Sequence, residues 1–355
     1  MTVPRVCRLA AVTMLVWAAV ALAAPSQACA CGAFVAPPDG QATMNHEVAL
    51  LHWDGSTENI VMQLALNASV DNVALVVPTP TPAAVAAADK ATFVELDSLT
   101  APEIKKRRHW KVGSVLAASA PHAAAPTGAP NVVNQVHLGP LEATTLAGGD
   151  LAGLQKWLAN NGYAIRPAVS AALDPYVRDG WSFVAMRLTS TAPIAGGLKP
   201  VRMSFQSSRL VYPMRLSVAA SSAQQVTIFT LTEHRQQRTD ADASGQTSQV
   251  QFAGNVSGAV RDPLLRELAG SHGAYLTKMQ IDIPKPAKIT SDFEFGNAPN
   301  DGAYRQVVYV DRDVGIPIEL ILLAGLLFGA VVVSAVVIFV FVRRRPGPPA
   351  IGPAS

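Results

Sequence analysis

The stretch VRMSFQ at residues 201–206 alternates apolar and polar side chains, so Val201, Met203 and Phe205 fall on one face of an extended chain. A period of two is the pattern of a half-buried strand, with one face towards a core. Alternating or continuous apolar runs predict further strands at residues 60–66, 73–77, 181–188, 214–218, 226–231 and 279–283. Repeated segments of this kind predict a sheet that buries one face.

Three helices are predicted between these strands. Residues 83–98 are rich in Ala and follow a Pro-Thr-Pro-Thr-Pro stretch, which favours a helix start. Asp150 is a candidate N-cap for a helix at 151–160 that stops at Gly162, and Asp262 is a candidate N-cap for residues 263–269. Strands and helices without a regular βαβ repeat predict an α+β fold, with a mainly antiparallel sheet and a few short helices.

An apolar run near the C-terminus predicts a membrane-spanning helix. Residues 320–342 contain no charge and are followed by three arginines. A helix of that length is roughly 34 Å long, enough to cross a hydrocarbon core of about 30 Å. Because Lys and Arg accumulate on the cytoplasmic side, we predict a single pass at 318–342 and a cytoplasmic tail at 343–355. The lipid bilayer is then one partner, and the GxxxG spacing of Gly325 and Gly329 is a candidate homodimer contact.

The N-terminus predicts a secretory signal peptide at residues 1–28. Arg5 and Arg8 precede a short apolar stretch, which ends in small residues before a cleavage point after Ala28. An uncleaved anchor helix is the alternative interpretation. Cleavage leaves residues 29–315 as an extracytoplasmic domain at the cell membrane, interrupted by an Ala/Pro-rich loop at 117–130.

The charge balance gives no indication of a nucleic-acid partner. The signal segment and the three terminal arginines hold five of the 28 Lys and Arg residues, which leaves 23 against 25 acidic residues. The positive formal charge of the whole chain therefore comes from its targeting ends, and not from a basic surface on the domain.

Two cysteines, Cys29 and Cys31, remain after cleavage, and both are disulfide candidates in an oxidising exterior. A disulfide between them closes a tight loop, so pairing across two chains is a second interpretation, and lipidation of Cys29 is a third. Two thiolates without a nearby His are a poor metal site.

One loop resembles the start of a calcium site. Asp240, Asp242 and Ser244 place oxygen ligands at positions 1, 3 and 5, and Gly245 follows at position 6. Position 12 is Gln251, where a bidentate Glu is expected, so a polar hairpin tip explains the loop as well. We predict no cofactor and no metal, with these residues as the candidates if a cation does bind.

Residues 105–111, KKRRHWK, form the one dense basic run. Outside a cell the run can contact anionic wall polymers or lipid headgroups. A solvated edge strand guarded by Lys explains it equally.

No catalytic motif occurs in the chain. There is no G-x-S-x-G elbow, no S-x-x-K, no P-loop and no H-E-x-x-H. His46-Glu47 and Glu233-His234 are adjacent pairs, which we expect to point to opposite faces of a strand. Catalytic residues are therefore not assigned, although a site assembled from His46, His137 or His234 with distant carboxylates remains an alternative.

Several stretches together resemble a bacterial domain-of-unknown-function family, number 2330, over roughly residues 28–235. They are residues 28–32, 73–78, 139–146, 154–163, 173–177, 180–185 and 210–216. The resemblance implies a secreted bacterial protein, often with a single C-terminal anchor, and implies no activity. The basic run at 105–111 departs from the family pattern.

The residues in these stretches indicate structural roles. Four aromatic side chains are candidate packing anchors: Trp157, Tyr163, Tyr176 and Trp181. Gly162 and Gly180 are candidate turn formers, and Asp174-Pro175 predicts a turn or helix break.

Two functions follow as hypotheses. The first is a non-enzymatic, membrane-anchored binding or structural module of the cell envelope, which binds an envelope protein or a wall polymer. The second is an envelope hydrolase or redox enzyme whose site is built from distant residues.

Overall fold

The computed structural model describes most of the region between the predicted signal peptide and the C-terminal tail. The described residues are 33–35, 42–43, 46–63, 67–68, 74–111, 135–138, 141–146, 151–163, 165–188, 198–315 and 318–343. The predicted signal peptide, Cys29, Cys31 and the Ala/Pro-rich loop at 117–130 lie outside these residues.

The described residues contain five α-helices, two short 3₁₀ segments and many strands. The helices are α1 (Lys90–Leu99), α2 (Leu151–Asn160), α3 (Pro167–Arg178), α4 (Pro263–His272) and α5 (Ile318–Arg343), and the 3₁₀ segments are Arg215–Ala219 and Pro286–Lys288. The strands are β1 (Ala33–Val35), β2 (Ala42–Thr43), β3 (His46–Trp53), β4 (Thr57–Gln63), β5 (Asn67–Ala68), β6 (Ala74–Thr79), β7 (Ala84–Ala87), β8 (Glu103–Lys111), β9 (Gln135–Leu138), β10 (Leu141–Leu146), β11 (Ser182–Leu188), β12 (Val201–Gln206), β13 (Leu210–Tyr212), β14 (Gln224–Thr232), β15 (Gln236–Arg238), β16 (Thr247–Asn255), β17 (Tyr275–Ile283), β18 (Phe293–Asn297), β19 (Tyr304–Arg305) and β20 (Val307–Gly315).

Two large sheets, one small sheet and the strand pair β2–β5 belong to the first of two compact units, which comprises residues up to 102 and residues 124–306. The large sheets have the orders β19-β16-β17-β14-β3-β4-β12-β7 and β1-β6-β11-β10-β9, and the small one is β13-β18-β15. Within them only the β14–β3 pair is parallel, and the other pairs are antiparallel. The predicted mainly antiparallel α+β architecture is confirmed.

The two large sheets face each other across a central core. Ile60, Met62 and Met203 of the eight-stranded sheet pack in one cluster with Val77 and Val184 of the five-stranded sheet. All five of these side chains are at most 1% exposed, and burial of a side chain of this size stabilises the fold by about 1.5–3 kcal/mol.

Helices cover the outer face of each sheet. Helices α2 and α3 pack on the outer face of the five-stranded sheet, through Leu158 and Tyr176 among others. Helices α1 and α4 pack on the outer face of the eight-stranded sheet, for example through Phe93 and Leu268. The first unit is therefore layered as helices, sheet, sheet and helices.

Because of the helix layers, some strands that were predicted to be half-buried are buried on both faces. Strand β12 keeps the predicted alternation of buried and partly buried residues. Strands β4 and β14 are buried on both faces, because a helix layer covers the side that a half-buried strand exposes to water.

The helix predictions are confirmed at two sites. Helix α2 has the predicted bounds and Gly162 follows it with φ of 82°, although Asp150 lies outside the described residues. The Asp262 side chain caps α4 by accepting from the Leu265 amide at 3.0 Å.

Three local predictions are wrong. Residues 84–87 form an edge strand paired with β12, and the helix begins only after Asp89, whose side chain accepts from the Ala91 amide. The strand predicted at 214–218 is absent, because Arg215–Ala219 is a 3₁₀ segment that follows Met214. Pro175 lies inside α3 and does not break it.

The second unit comprises residues 103–123 and 307–355. Strands β8 and β20 pair in parallel over nine residues each, so the predicted basic run is a strand. Helix α5 has 26 residues and is long and apolar enough to cross a membrane; none of the window 322–340 is buried by protein.

Candidate functional site

A cleft of about 390 Å³ opens beside the ends of strands β3 and β14. It is lined by Trp53, Leu210, Thr232, Glu233, His234, Gln236, His272, Phe295, Gly296 and Asn297. Clefts that combine an apolar surface with a few convergent polar groups are the usual form of a ligand site.

One side of the cleft is apolar. Trp53 ends β3, packs against the central core and donates from Nε1 to the Ser207 carbonyl at 2.9 Å, which fixes the indole plane. Leu210 and Phe295 belong to paired strands of the small sheet and complete this side.

The opposite side is the bend after β14. The His234 carbonyl accepts from the Thr232 hydroxyl at 2.8 Å and from Gln236 Nε2 at 3.0 Å. Because the strand ends at Thr232, Glu233 and His234 lie in a bend and both line the cleft. The predicted divergence of this adjacent pair is therefore wrong.

His234 is paired with a carboxylate at the cleft. Its Nδ1 lies 2.9 Å from Asp301 Oδ2, and this hydrogen bond raises the pKa of His234 and lowers the pKa of Asp301. The Arg235 amide donates to the other oxygen of Asp301 at 2.8 Å. The rim of the cleft therefore gains positive charge as the pH falls towards the pKa of His234.

A close backbone approach brings His272 to the cleft from the end of α4. Gly273 has φ of 90°, and a Cβ there would lie 2.5 Å from the Glu233 Cα, so only glycine fits. His272 Nε2 then lies 3.8 Å from Glu233 Oε2, which is within ion-pair range but longer than a hydrogen bond.

The cleft offers hydrogen-bond donors and acceptors but no evident nucleophile. Among its lining residues the one hydroxyl, on Thr232, donates to the His234 carbonyl. Gln236 Nε2 is held by Asn297 Oδ1 at 2.9 Å, in addition to the His234 carbonyl. The arrangement suits binding of a ligand that has both an apolar face and polar groups.

A Ser–His pair lies near the cleft, on the other face of β3. His52 is 1% exposed, and its Nε2 lies 3.0 Å from the hydroxyl of Ser271 on α4. Its Nδ1 lies 3.5 Å from Asn59 Nδ2, so the geometry resembles a nucleophile, a base and an orienting residue.

The directions of these hydrogen bonds do not allow His52 to act as a general base for Ser271. Asn59 Oδ1 accepts from Arg202 Nε at 2.9 Å and from Ser204 Oγ, so the amide of Asn59 is the donor towards His52 Nδ1. His52 therefore carries its proton on Nε2 and donates to Ser271, whose hydroxyl in turn donates to the Leu268 carbonyl at 2.7 Å. A protonated Nε2 cannot take the serine proton, and the chain instead ties α4 to the sheet.

We expect protonation of His52 to destabilise the fold. Burial lowers the pKa of His52, so the unfolded chain binds more protons below pH of about 6.5, and stability falls as the pH drops through that value. The loss is at most about 1.4 kcal/mol per pH unit. Urea unfolding at pH 8 and pH 5.5 measures it.

A matched variant isolates the contribution of this one residue. His52→Gln keeps a side-chain donor but does not titrate in this range, so its stability should change less between the two pH values. Burial raises the pKa of Glu58, which opposes the trend in both proteins and cancels in the comparison. Equal losses in the wild type and the variant would contradict the assignment.

The histidines proposed from the sequence do not come together. His234 lines the cleft, whereas His46 begins β3 and His137 lies in β9 of the other large sheet. His272 and Trp53 were not predicted as site residues from the sequence, although Gly273 after His272 was an available signal of a close backbone approach.

The carboxylates of the calcium-loop candidate are engaged with protein groups. Arg238 donates two hydrogen bonds to the Asp240 carboxylate, from Nε at 2.9 Å and from Nη2 at 2.6 Å. Both side chains are nearly inaccessible to solvent. Asp242 accepts from the amide and hydroxyl of Thr290, and Ser244 lies in the turn before β16. Within the described residues, no three His, Cys, Asp or Glu side chains gather as a metal site.

Asp292 is 7% exposed and accepts hydrogen bonds from three residues. Its Oδ1 accepts from the Tyr176 hydroxyl and from the amides of Met214 and Arg215 at 2.7 and 3.0 Å. Its Oδ2 accepts from Arg215 Nε at 2.8 Å, and the Arg215 guanidinium lies 4.2 Å from the ring centre of Tyr176.

A family model described as an uncharacterized protein conserved in bacteria, DUF2330, matches residues 25–296. The chain belongs to this family. No curated protein matches the chain. Three of the seven DUF2330 stretches, 173–177, 180–185 and 210–216, meet beside Asp292, since Tyr176, Trp181 and Arg215 all contact one another there. These family residues therefore build the fold, and Asp292 was not found from the sequence.

Two solved structures have remote similarity to this DUF2330 chain. Baculovirus P35 covers 76% of this chain and 98% of its own, at 7% identity and a TM-score of 0.33. A mutated baculovirus P35 after caspase cleavage covers 67% and 99%, at 7% identity and a TM-score of 0.31. TM-scores this low do not establish a shared fold or a shared function.

Proposed function

We propose that this chain is a non-enzymatic binding module of the bacterial envelope, held outside the membrane by helix α5. The observation that carries the proposal is the uncovered apolar surface of α5. Between residues 322 and 340, its large apolar side chains are between 41% exposed at Val340 and 73% exposed at Leu326. A surface of this kind is costly in water and favourable in lipid, and Arg343 at its end favours a cytoplasmic C-terminus.

The cleft beside Trp53 is the proposed binding site. It presents a fixed aromatic side, two imidazoles and one carboxylate, which suits a polar envelope protein segment or a wall polymer fragment. The GxxxG spacing of Gly325 and Gly329 supports a second proposal, a homodimer through α5, because small residues at this spacing let two helices approach closely.

Photo-crosslinking in living cells tests the binding site. We expect a photoreactive benzoyl-phenylalanine at position 234 to capture one dominant partner, identified by mass spectrometry as a protein or a wall fragment. The same group at Val94, which is 69% exposed on α1 and outside the cleft, should capture it at least several-fold less. Equal capture at both positions would contradict a site at the cleft.

A serine hydrolase is the second candidate, favoured by the 3.0 Å contact between His52 and Ser271. The donor order described above opposes it. A covalent adduct of a fluorophosphonate probe on Ser271 would establish the hydrolase and displace the binding proposal.

A further inference from the structure

Strand β16 has one edge that is largely open. Strand β17 pairs with β16 along most of its length, whereas on the other side β19 pairs only with Phe252 and Ala253. Among the residues that the structure describes, no strand pairs with that side of residues 247–250. Residues 247–249 are exposed, so this part of the edge is open to another chain.

The open segment lacks two common protections of an edge strand. Residues 247–252, TSQVQF, contain no charge and no proline. An exposed edge without charged residues or proline can pair with a further strand. The register with β17 is regular from Thr247 to Val250, before the bulge at Gln251. At about 3.3 Å per residue, these four residues offer an edge of about 13 Å to an extended peptide.

The direction of β19 indicates how such a peptide lies. Strand β19 is antiparallel to β16, and the amide of Gln306, directly after β19, donates to the Gln251 carbonyl at 2.8 Å. A peptide that continues this line towards Thr247 is also antiparallel to β16, which is the more stable orientation for a strand pair. The carboxyl end of the peptide then lies beyond Thr247.

A cleft of about 440 Å³ lies at that end of β16. Gly245 and Gln246, which directly precede the strand, line the cleft together with residues 283–285 and Lys288 from the segment after β17. Lys285 and Lys288 are both exposed, and within the described part of the chain neither has an ion-pair partner. We call this the lysine cleft.

One carboxylate also faces the lysine cleft, and its charge is compensated within the protein. Asp242 accepts from the amide and hydroxyl of Thr290 at 2.8 and 2.7 Å, and from the Ser291 amide at 3.1 Å. Asp282 on β17 accepts from Gln225 Nε2 at 2.8 Å and does not line the cleft. The two ammonium groups therefore give the lining of the cleft a net positive charge.

We propose that the open edge of β16 binds an extended peptide in antiparallel orientation, and that Lys285 and Lys288 bind the carboxylate at the peptide's C-terminus. Backbone hydrogen bonds along the edge supply affinity, and the two ammonium groups select for a free carboxylate. A parallel peptide would bring its terminal ammonium group to two lysines, which is unfavourable. This surface shares no lining residue with the cleft beside Trp53.

Selection from a library of displayed random heptapeptides with free C-termini tests the proposal, with the full chain in detergent as the target. We expect one family of peptides to be enriched. Its synthetic carboxylate form should bind about ten-fold more tightly than its carboxamide form, because hydrogen bonds to a charged acceptor are the stronger ones. Failure to enrich any peptide, or equal affinity of the two forms, would overturn the proposal.

A pair of lysine variants tests the carboxylate site. Lys285→Gln with Lys288→Gln should remove the preference for the carboxylate form. Lys156→Gln with Lys199→Gln makes the same change of charge elsewhere in the first unit and should keep the preference. A preference that persists in the first variant would contradict the assignment of these two lysines.

N-methylation of the selected peptide tests strand pairing. Alternate amides of a strand point to the same side, so N-methyl groups on one alternating set of residues should abolish binding. Methyl groups on the other set should leave the affinity within a few fold. Equal effects of the two sets would show that the peptide does not pair as a strand.

A photoreactive benzoyl-phenylalanine at position 249 tests the location and the occupant. We expect it to capture the selected peptide, whereas the same group at position 234, in the cleft beside Trp53, should not. Capture at position 234 alone would overturn this surface and leave the proposed function intact. Capture of a second copy of the chain from position 249, in place of the peptide, would also overturn the proposal.

Discussion

Asp292→Asn should lower the free energy of unfolding by about 3 kcal/mol, because removing one partner of a buried ion pair leaves the other without compensation. Arg215 would keep only its exposed partner, and the turn at Met214 would lose a charged acceptor for two amides. Urea unfolding of the full chain in detergent, followed by circular dichroism, measures the change.

Asp179→Asn is the matched control. Asp179 binds the same guanidinium through Arg215 Nη1 at 2.7 Å, but its side chain is 48% exposed. Exposed ion pairs contribute about 0–1 kcal/mol, so this substitution should cost little. Similar losses in the two variants would show that burial at Asp292 does not determine its effect.

The residues around Asp292 also show which features could be predicted from the sequence. The turn glycines and aromatic anchors were predictable, since Gly162 and Gly180 have positive φ and Tyr163, Tyr176 and Trp181 are buried. The role of Asp292 was not predictable, because it lies far along the chain from its partners and a single Asp has no local sequence pattern. Local sequence patterns predict helix caps and turns, whereas the buried hydrogen bonds of Asp292 join residues that are far apart in the sequence.

The wrong local predictions have related causes. The alternation at 214–218 favours a strand, but the Asp292 carboxylate binds two successive amides there and a 3₁₀ turn results. Pro175 fits inside α3, where the Asp179 amide still bonds to the Pro175 carbonyl. Residues 84–87 pair with the edge of a sheet that the sequence does not reveal. At residues 214–218 and 84–87 tertiary contacts override a local preference.

The residues of the cleft were likewise only partly predictable from the sequence. Glu233 and His234 were visible as a pair, but their convergence required that β14 end at Thr232 and that α4 arrive at Gly273. Among the histidines singled out from the sequence, His137 lies in the five-stranded sheet. His46 and His234 lie at opposite ends of the paired strands β3 and β14, because the sequence does not show how the strands pair. The apolar helix, in contrast, was predictable nearly to its ends, because length and hydropathy alone determine it.

Leu326→Arg with Val331→Arg should release the chain from membranes. On an insertion scale each Arg near the helix centre costs about 2.5–3.5 kcal/mol, so two of them offset much of what the apolar side chains of α5 contribute. We expect the wild-type chain to stay in the pellet after alkaline carbonate extraction of cell membranes, and the variant to appear in the soluble fraction.

Val94→Arg is the control for this experiment. Val94 is an exposed apolar side chain on α1, so an arginine there faces water and should leave extraction unchanged. Release of the wild-type chain by carbonate would show that α5 does not lie in the bilayer. Retention of the double-arginine variant would show that contacts other than burial of α5 in lipid hold the chain at the membrane, because two central charges make such burial unfavourable.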